Sequence, residues 1–106
     1  MRSEITEAHI SDEQGRPAGG QTTGRGFTID WQNGPLAVDG VRREPNGAFV
    51  EDVLAAVIGR IEFYQASQFA CDENADALHA LKAAARRLDD RTKARQARGV
   101  EGTHKV

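Results

Sequence analysis

Four arginines near the end of the chain, Arg87, Arg91, Arg95 and Arg98, recur at i, i+4, i+8 and i+11, which stacks their guanidinium groups in one column if the segment is helical. A guanidinium is a rigid planar fork that matches phosphate oxygens two at a time, so such a column suits a pyrophosphate. The ordinary alternative is a solvated charged face, opposed locally only by Asp89 and Asp90. A second group supplies the other half of a nucleotide site. Phe63, Tyr64 and Phe69 cluster shortly before Asn74; an aromatic face stacks a purine and a carboxamide reads its edge. Each aromatic taken alone is as readily a packing residue, Tyr64 above all, because it continues an apolar stripe.

Other constellations do not hold together. Gly24-Arg25-Gly26 opens a dinucleotide-type glycine pattern, but Ile29 stands at the third glycine position and a strand follows instead of a helix. Glu101 and His104 have the i, i+3 relation of helical metal sites, yet Gly102 lies between them and Gly99 before them. His9 and His79 lack a second ligand at useful spacing. The single Cys71 excludes an intrachain disulfide and a four-cysteine zinc site, and reads as a small turn residue. The residues therefore point to no enzyme, no metal and no cofactor.

The elements that must position these groups follow from periodicity. Val50, Val53, Leu54, Val57, Ile58, Ile61 and Tyr64 repeat at helical spacing and predict a first helix from a cap at Asn46 to about residue 67. Asp72 caps a second helix whose inner face is Ala75, Leu78, Leu81, Ala85 and Leu88, and which stops at Gly99. The two make an antiparallel hairpin whose longer second helix leaves its basic end exposed. Asn74 and Arg91 are then about 25 Å apart along one helix, too far for one mononucleotide to bridge. An antiparallel dimer of hairpins brings the turn of one beside the basic end of the other, giving a composite site between subunits.

Ahead of the helices, Phe27, Ile29 and Trp31 alternate with Thr28, Asp30 and Gln32, the period of a half-buried strand. Asn33-Gly34 and Asp39-Gly40 suit tight turns with positive φ, so 27–32, 35–38 and 41–44 read as a small antiparallel meander. The expected fold class is α+β: residues 1–25 a mobile arm, 26–45 a small β-sheet, and 46–106 a helical hairpin with a C-terminal tail, with 26–106 as one domain. Residues 4–10 have the option of adding an edge strand.

The chain has 106 residues, 39% of them hydrophobic but only 6% aromatic, so its core is thin and assembly as a homo-oligomer is the natural way to complete burial. The formal net charge of −2 hides an asymmetry: residues 1–80 carry 6 basic and 13 acidic side chains, residues 81–106 carry 8 and 3. Local positive charge on an acidic protein favours a small anion over a nucleic-acid polymer. No apolar run approaches the length of a membrane span or a secretory leader, so a soluble cytoplasmic protein with no membrane partner is expected.

Several stretches together resemble a known family. They are Pro45-Asn46-Gly47-Ala48-Phe49-Val50-Glu51-Asp52-Val53, Phe63-Tyr64-Gln65, Phe69-Ala70-Cys71 with Glu73-Asn74-Ala75, and Arg91-Thr92 through Arg95 to Arg98-Gly99-Val100-Glu101-Gly102-Thr103-His104. Over residues 26–106 the chain resembles the phage Thoeris anti-defence sponges, which share their helical hairpin with phage anti-CBASS sponges. The resemblance implies a non-enzymatic protein that captures a cyclic ADP-ribose isomer, glycocyclic ADP-ribose, made by a bacterial TIR-domain sensor in the infected cell. It implies a homodimer or hexamer, some members of which also hold cyclic di- or trinucleotide signals. Carried over by position, Arg91 and Arg95 bind phosphate, Asn74 reads the base and Tyr64 is the aromatic wall, with Phe63 and Phe69 as rivals for that place; Arg98 and Asn46 are further ligand-binding candidates. The alanine-rich 80–88 stretch departs from the family and implies a looser dimer seam. From another class, the alternative is a protein–protein adaptor working through the basic end of the second helix.

Overall fold

The computed structural model describes residues 4–105, which form five strands and two helices. The order is β1 (Thr6–Ser11), β2 (Pro17–Gly24), β3 (Phe27–Asp30), β4 (Ala37–Val38), β5 (Val41–Arg42), α1 (Val50–Gln65) and α2 (Asp72–Ala97). The class is α+β, as expected. The chain divides into two compact units, one running to Phe49 and resuming from Val100, the other being Val50–Gly99.

In the first unit β1, β2 and β3 form one antiparallel sheet in that order, and β4 pairs with β5 in a separate hairpin. This corrects two expectations. Residues 6–24, read as an arm with the option of an edge strand at 4–10, form two of the three strands of the larger sheet, with β1 at its edge. Asp12 makes this possible by closing the turn between them: its Oδ1 accepts from the backbone N–H groups of Gln14 and Arg16, each at 2.9 Å, and its Oδ2 accepts from Arg16 Nε at 2.7 Å. The meander is corrected as well, because β3 pairs with β2 and not with β4, so Asn33-Gly34 does not join neighbouring strands. Asp39-Gly40 does. Both residues have positive φ, 52° and 77°, the backbone a two-residue hairpin needs.

The alternation expected from Phe27 to Gln32 holds only over residues 28–31, since Phe27 is 42% exposed and Gln32 is half-buried. Ile29 and Trp31 are half-buried beside exposed Thr28 and Asp30, and Trp31 Nε1 donates at 2.8 Å to Thr22 Oγ1 across the sheet. Thr22 retains 6% of its exposure. A bridge between Trp31 and Ala48 extends the unit toward its last residues. Val100 to Thr103 return to it: Ala37 N donates to Gly102 O at 2.8 Å, and Arg42 grips both carboxylate oxygens of Glu101 at 2.6 and 2.9 Å.

The second unit is the helical hairpin. Asn46 does not cap α1, which starts at Val50; its carboxamide is committed to Asn33 instead. Glu51 and Asp52 occupy the first turn of α1, where acidic groups favour the helix dipole. The N-cap of α2 is Cys71, making no side-chain cap bond, and Asp72 is the first helical residue. The turn is fastened by Gln65, whose Oε1 accepts from Cys71 N at 3.0 Å and whose Nε2 donates to Cys71 O at 3.1 Å. Gly99, at φ 71°, ends α2 where the stop was expected.

Among the described residues no apolar side chain is fully buried. The seam of the hairpin is half-buried Val53, Leu54, Ile58 and Ile61 against Ala77, Leu78, Leu81, Ala85 and Leu88. Ala75, expected on that face, is exposed. Val50, Val57 and Tyr64, spaced by one heptad along α1, also fall outside the seam and stay exposed.

Candidate functional site

α1 places Phe63 and Tyr64 in its last turns, with ring centroids 6.1 Å apart and planes tilted by 58°. Their side chains remain 61% and 37% exposed. Arg60, one turn earlier, lies over both rings, its guanidinium carbon 5.0 Å from the Phe63 centroid and 4.9 Å from that of Tyr64. Its Nε also donates to the Tyr64 hydroxyl at 3.2 Å. A cation over aromatic faces is attracted by their quadrupoles, so the three side chains hold one another in place. Arg60 was missed from the sequence, although its i, i+3 and i+4 relation to two aromatics is legible there.

Phe69 stands in the turn between the helices and is 68% exposed. Its backbone N donates to Ser67 Oγ at 3.1 Å, and Ser67 Oγ donates to Tyr64 O at 2.6 Å, so the turn that carries Phe69 is tied to the aromatic end of α1. Asn74, half-buried, is the third residue of α2. The structure thus brings Arg60, Phe63 and Tyr64 together, ties the turn carrying Phe69 to them, and shows no hydrogen bond from Asn74 to any of the four.

The arginine column lies at the other end of α2. Arg91 and Arg95 follow Asn74 by about 25 and 32 Å along the axis. One hairpin therefore does not bring the phosphate-binding candidates beside the base-reading ones. Nor does the column run free over its length. Arg87 Nη1 pairs with Asp90 at 3.0 Å, and Lys93 pairs with Asp89 at 2.9 Å, a hydrogen bond that raises the Lys93 pKa, helped by the charge of the same carboxylate. Arg91 is exposed and takes part in no ion pair among the described residues. Arg98 is exposed and C-caps α2. Arg95 corrects the expectation of an exposed basic end: it keeps only 9% of its exposure and is one of two buried polar side chains among the described residues.

Asn46 bonds within the first unit. Its amide accepts from Asn33 N and donates to Asn33 O at 2.8 and 2.9 Å. Glu101, weighed as a metal ligand, is engaged by Arg42, and this contact raises the Arg42 pKa. Among the described residues no three His, Cys, Asp or Glu side chains converge as a metal site. No helix among them is long and apolar enough to cross a membrane.

No protein-family model matches the chain. It is 43% identical over 81 residues to Thoeris anti-defense 1 of Bacillus phage SBSphiJ7, an alignment that takes in 76% of this chain and 54% of that protein. The chain thus spans about half the length of the relative it matches. Over the matched segment, this protein belongs to the Thoeris anti-defense family.

Proposed function

We propose that this protein is an anti-Thoeris factor that binds a cyclic ADP-ribose isomer and holds it intact, so that the defence signal never reaches its effector. The identity to Thoeris anti-defense 1 carries the reading. Chemistry supports the ligand class: the Phe63 and Tyr64 faces and the Asn74 carboxamide suit a purine, and exposed Arg91 suits a phosphate, with the buried Arg95 one turn on adding its charge. The reading is non-enzymatic, since binding of this kind needs stacking and charge neutralisation and no general acid, base or nucleophile.

The separation of the two half-sites along α2 makes the complete site a property of two subunits. A second copy of the chain is the natural occupant of the exposed Val50, Val57 and Tyr64 line, because a hairpin with no fully buried apolar side chain has burial left to gain. In such a dimer the turn end of one subunit meets the basic end of the other. A hexamer built from these dimers offers further clefts for cyclic oligonucleotides.

Thermal-shift titration with glycocyclic ADP-ribose, beside ADP-ribose, NAD and a cyclic trinucleotide, tests this. A ligand at about 1,000 times its dissociation constant stabilises its protein by about 4 kcal/mol. A large selective shift with the first is expected, abolished in Arg91→Ala, with mass spectrometry recovering the same ligand after heat release. Recovery of linear ADP-ribose overturns the sponge in favour of a hydrolase. No shift with any ligand leaves the basic helix to a protein partner.

A further inference from the structure

We infer that Asn33-Gly34 is a site of spontaneous deamidation, while the fold protects the chain's second Asn-Gly pair, Asn46-Gly47. Asparagine followed by glycine is the pairing most open to this reaction, because glycine places no side chain in the way of its own backbone nitrogen. The Gly34 nitrogen, having given its proton to solvent base, attacks Cγ of Asn33. A C–N bond forms, the Cγ–Nδ2 bond breaks and ammonia leaves, closing a five-membered imide. One water then opens either carbonyl, yielding aspartate or isoaspartate. Water enters and ammonia departs, with no change of oxidation state.

Two conditions each speed the reaction: a carboxamide free to turn onto the next residue, and a backbone N–H without an acceptor. Asn46-Gly47 meets neither condition. Both ends of the Asn46 amide are held by the Asn33 backbone, at 2.8 and 2.9 Å, and Gly47 N donates to Gln32 Oε1 at 3.2 Å. Gly47 is also packed so closely on the Trp31 backbone that a Cβ there would fall 2.6 Å from Trp31 C. Asn33-Gly34 meets both. The Asn33 carboxamide is exposed and unbonded, and Gly34 N–H has no acceptor within hydrogen-bonding distance among the described residues. The space beside Gly34 Cα is open, with nothing within 4 Å of where a Cβ would stand.

The consequence is structural. Isoaspartate at position 33 lengthens the backbone by one methylene between the N–H and C=O that Asn46 grips, so the modification of one pair releases the clamp on the other. The protein's sheet unit therefore carries its own ageing reaction, at a residue that also holds a bridge to Ala18.

Trypsin separates the two sites, since cleavage at arginine leaves Asn33 in peptide 26–42 and Asn46 in peptide 44–60. Folded protein incubated at mildly alkaline pH is digested, and the acid and isoaspartyl forms of each peptide are quantified by mass spectrometry and enzymatic methyl transfer. Peptide 26–42 is expected to react about tenfold faster or more, a ratio equivalent to about 1.4 kcal/mol of barrier. In urea the two rates converge. Gln32→Ala, which frees Gly47 N–H, raises the rate in 44–60. Equal rates in the folded protein overturn the inference, as does a difference that persists unchanged in urea or an unmoved rate in Gln32→Ala.

Discussion

The sheet unit and the helical hairpin are held together by different physics. In the first, side chains reach across the sequence to bind backbone, Asn46 to Asn33 and Gln32 to Asn46 and Gly47, or to bind one another, Trp31 to Thr22 and Arg42 to Glu101. In the second, most bonds are helical or span a few residues, and a shallow seam of Leu, Ile, Val and Ala holds the two helices together. Polar clamps tolerate little change of shape. A seam of half-buried aliphatic groups leaves apolar surface available, and the hairpin is the unit on which every ligand-binding candidate except Asn46 lies.

One substitution made twice separates the units most sharply. Gly47→Ala drives a methyl group against Trp31 C and Asp30 O, positions 2.6 and 2.7 Å from the new atom and belonging to backbone that cannot step aside. Destabilisation of about 3 kcal/mol is expected, from overpacking against a fixed neighbour. Gly59→Ala, in the middle of α1 with open space around it, should stabilise by about 0.5–1 kcal/mol, because alanine loses less backbone entropy in a helix. Urea unfolding of both variants reads the signs. Two changes of the same sign would erase the contrast between the units.

A second pair of substitutions compares one cross-connection from each unit. Asn46→Ala removes both bonds to the Asn33 backbone, which is solvent-accessible, and should destabilise by about 1 kcal/mol. Lys82→Ala breaks the 3.2 Å ion pair to Glu62 that ties α2 to α1. Both partners are about half exposed, so the loss should stay below about 0.5 kcal/mol. Hydrogen exchange localises each effect to its own unit. A Lys82→Ala loss as large as that of Asn46→Ala would mean that the hairpin depends on its charges more than on its seam.

The same division explains what could be read in the residues. Helix periodicity, the Gly99 stop and the Asp39-Gly40 turn are local signals, and each element lies where those signals place it. The alternation from Phe27 to Trp31 is local too. The partner of β3 is not: choosing β2 over β4 depends on a turn closed by Asp12 in a stretch whose glycines and polar residues read as an arm. Asn46 has the composition of a helix cap, and only the position of Asn33 in space turns it into a clamp. Arg60 had a legible spacing but no reason to be singled out among charged helix residues. The exposed Phe63 and Phe69 and the buried Arg95 invert the usual preferences of their residue types, and periodicity carries no information about which face tertiary structure will cover.

The smallest expected effect lies at the outer turn of the sheet unit, where acid should act before it touches the hairpin seam. Asp12 accepts backbone bonds from Arg16 and Gln14 and is paired with the Arg16 side chain; the backbone bond from Arg16 is the leading cause that lowers its pKa below the usual carboxylate value. A carboxyl group whose folded value is depressed stabilises the fold fully above its unfolded pKa, and that contribution is lost as pH falls through the folded value. Acidification should therefore raise hydrogen exchange at the Gln14 and Arg16 amides and loosen the β1–β2 connection. Asp12→Asn keeps an acceptor but has no charge to titrate, so its exchange at these amides should be flat over the same range. The apolar α1–α2 seam contains no such group, and exchange there should not follow this titration. If the hairpin and the β1–β2 turn loosen together with one midpoint, the two units are thermodynamically one.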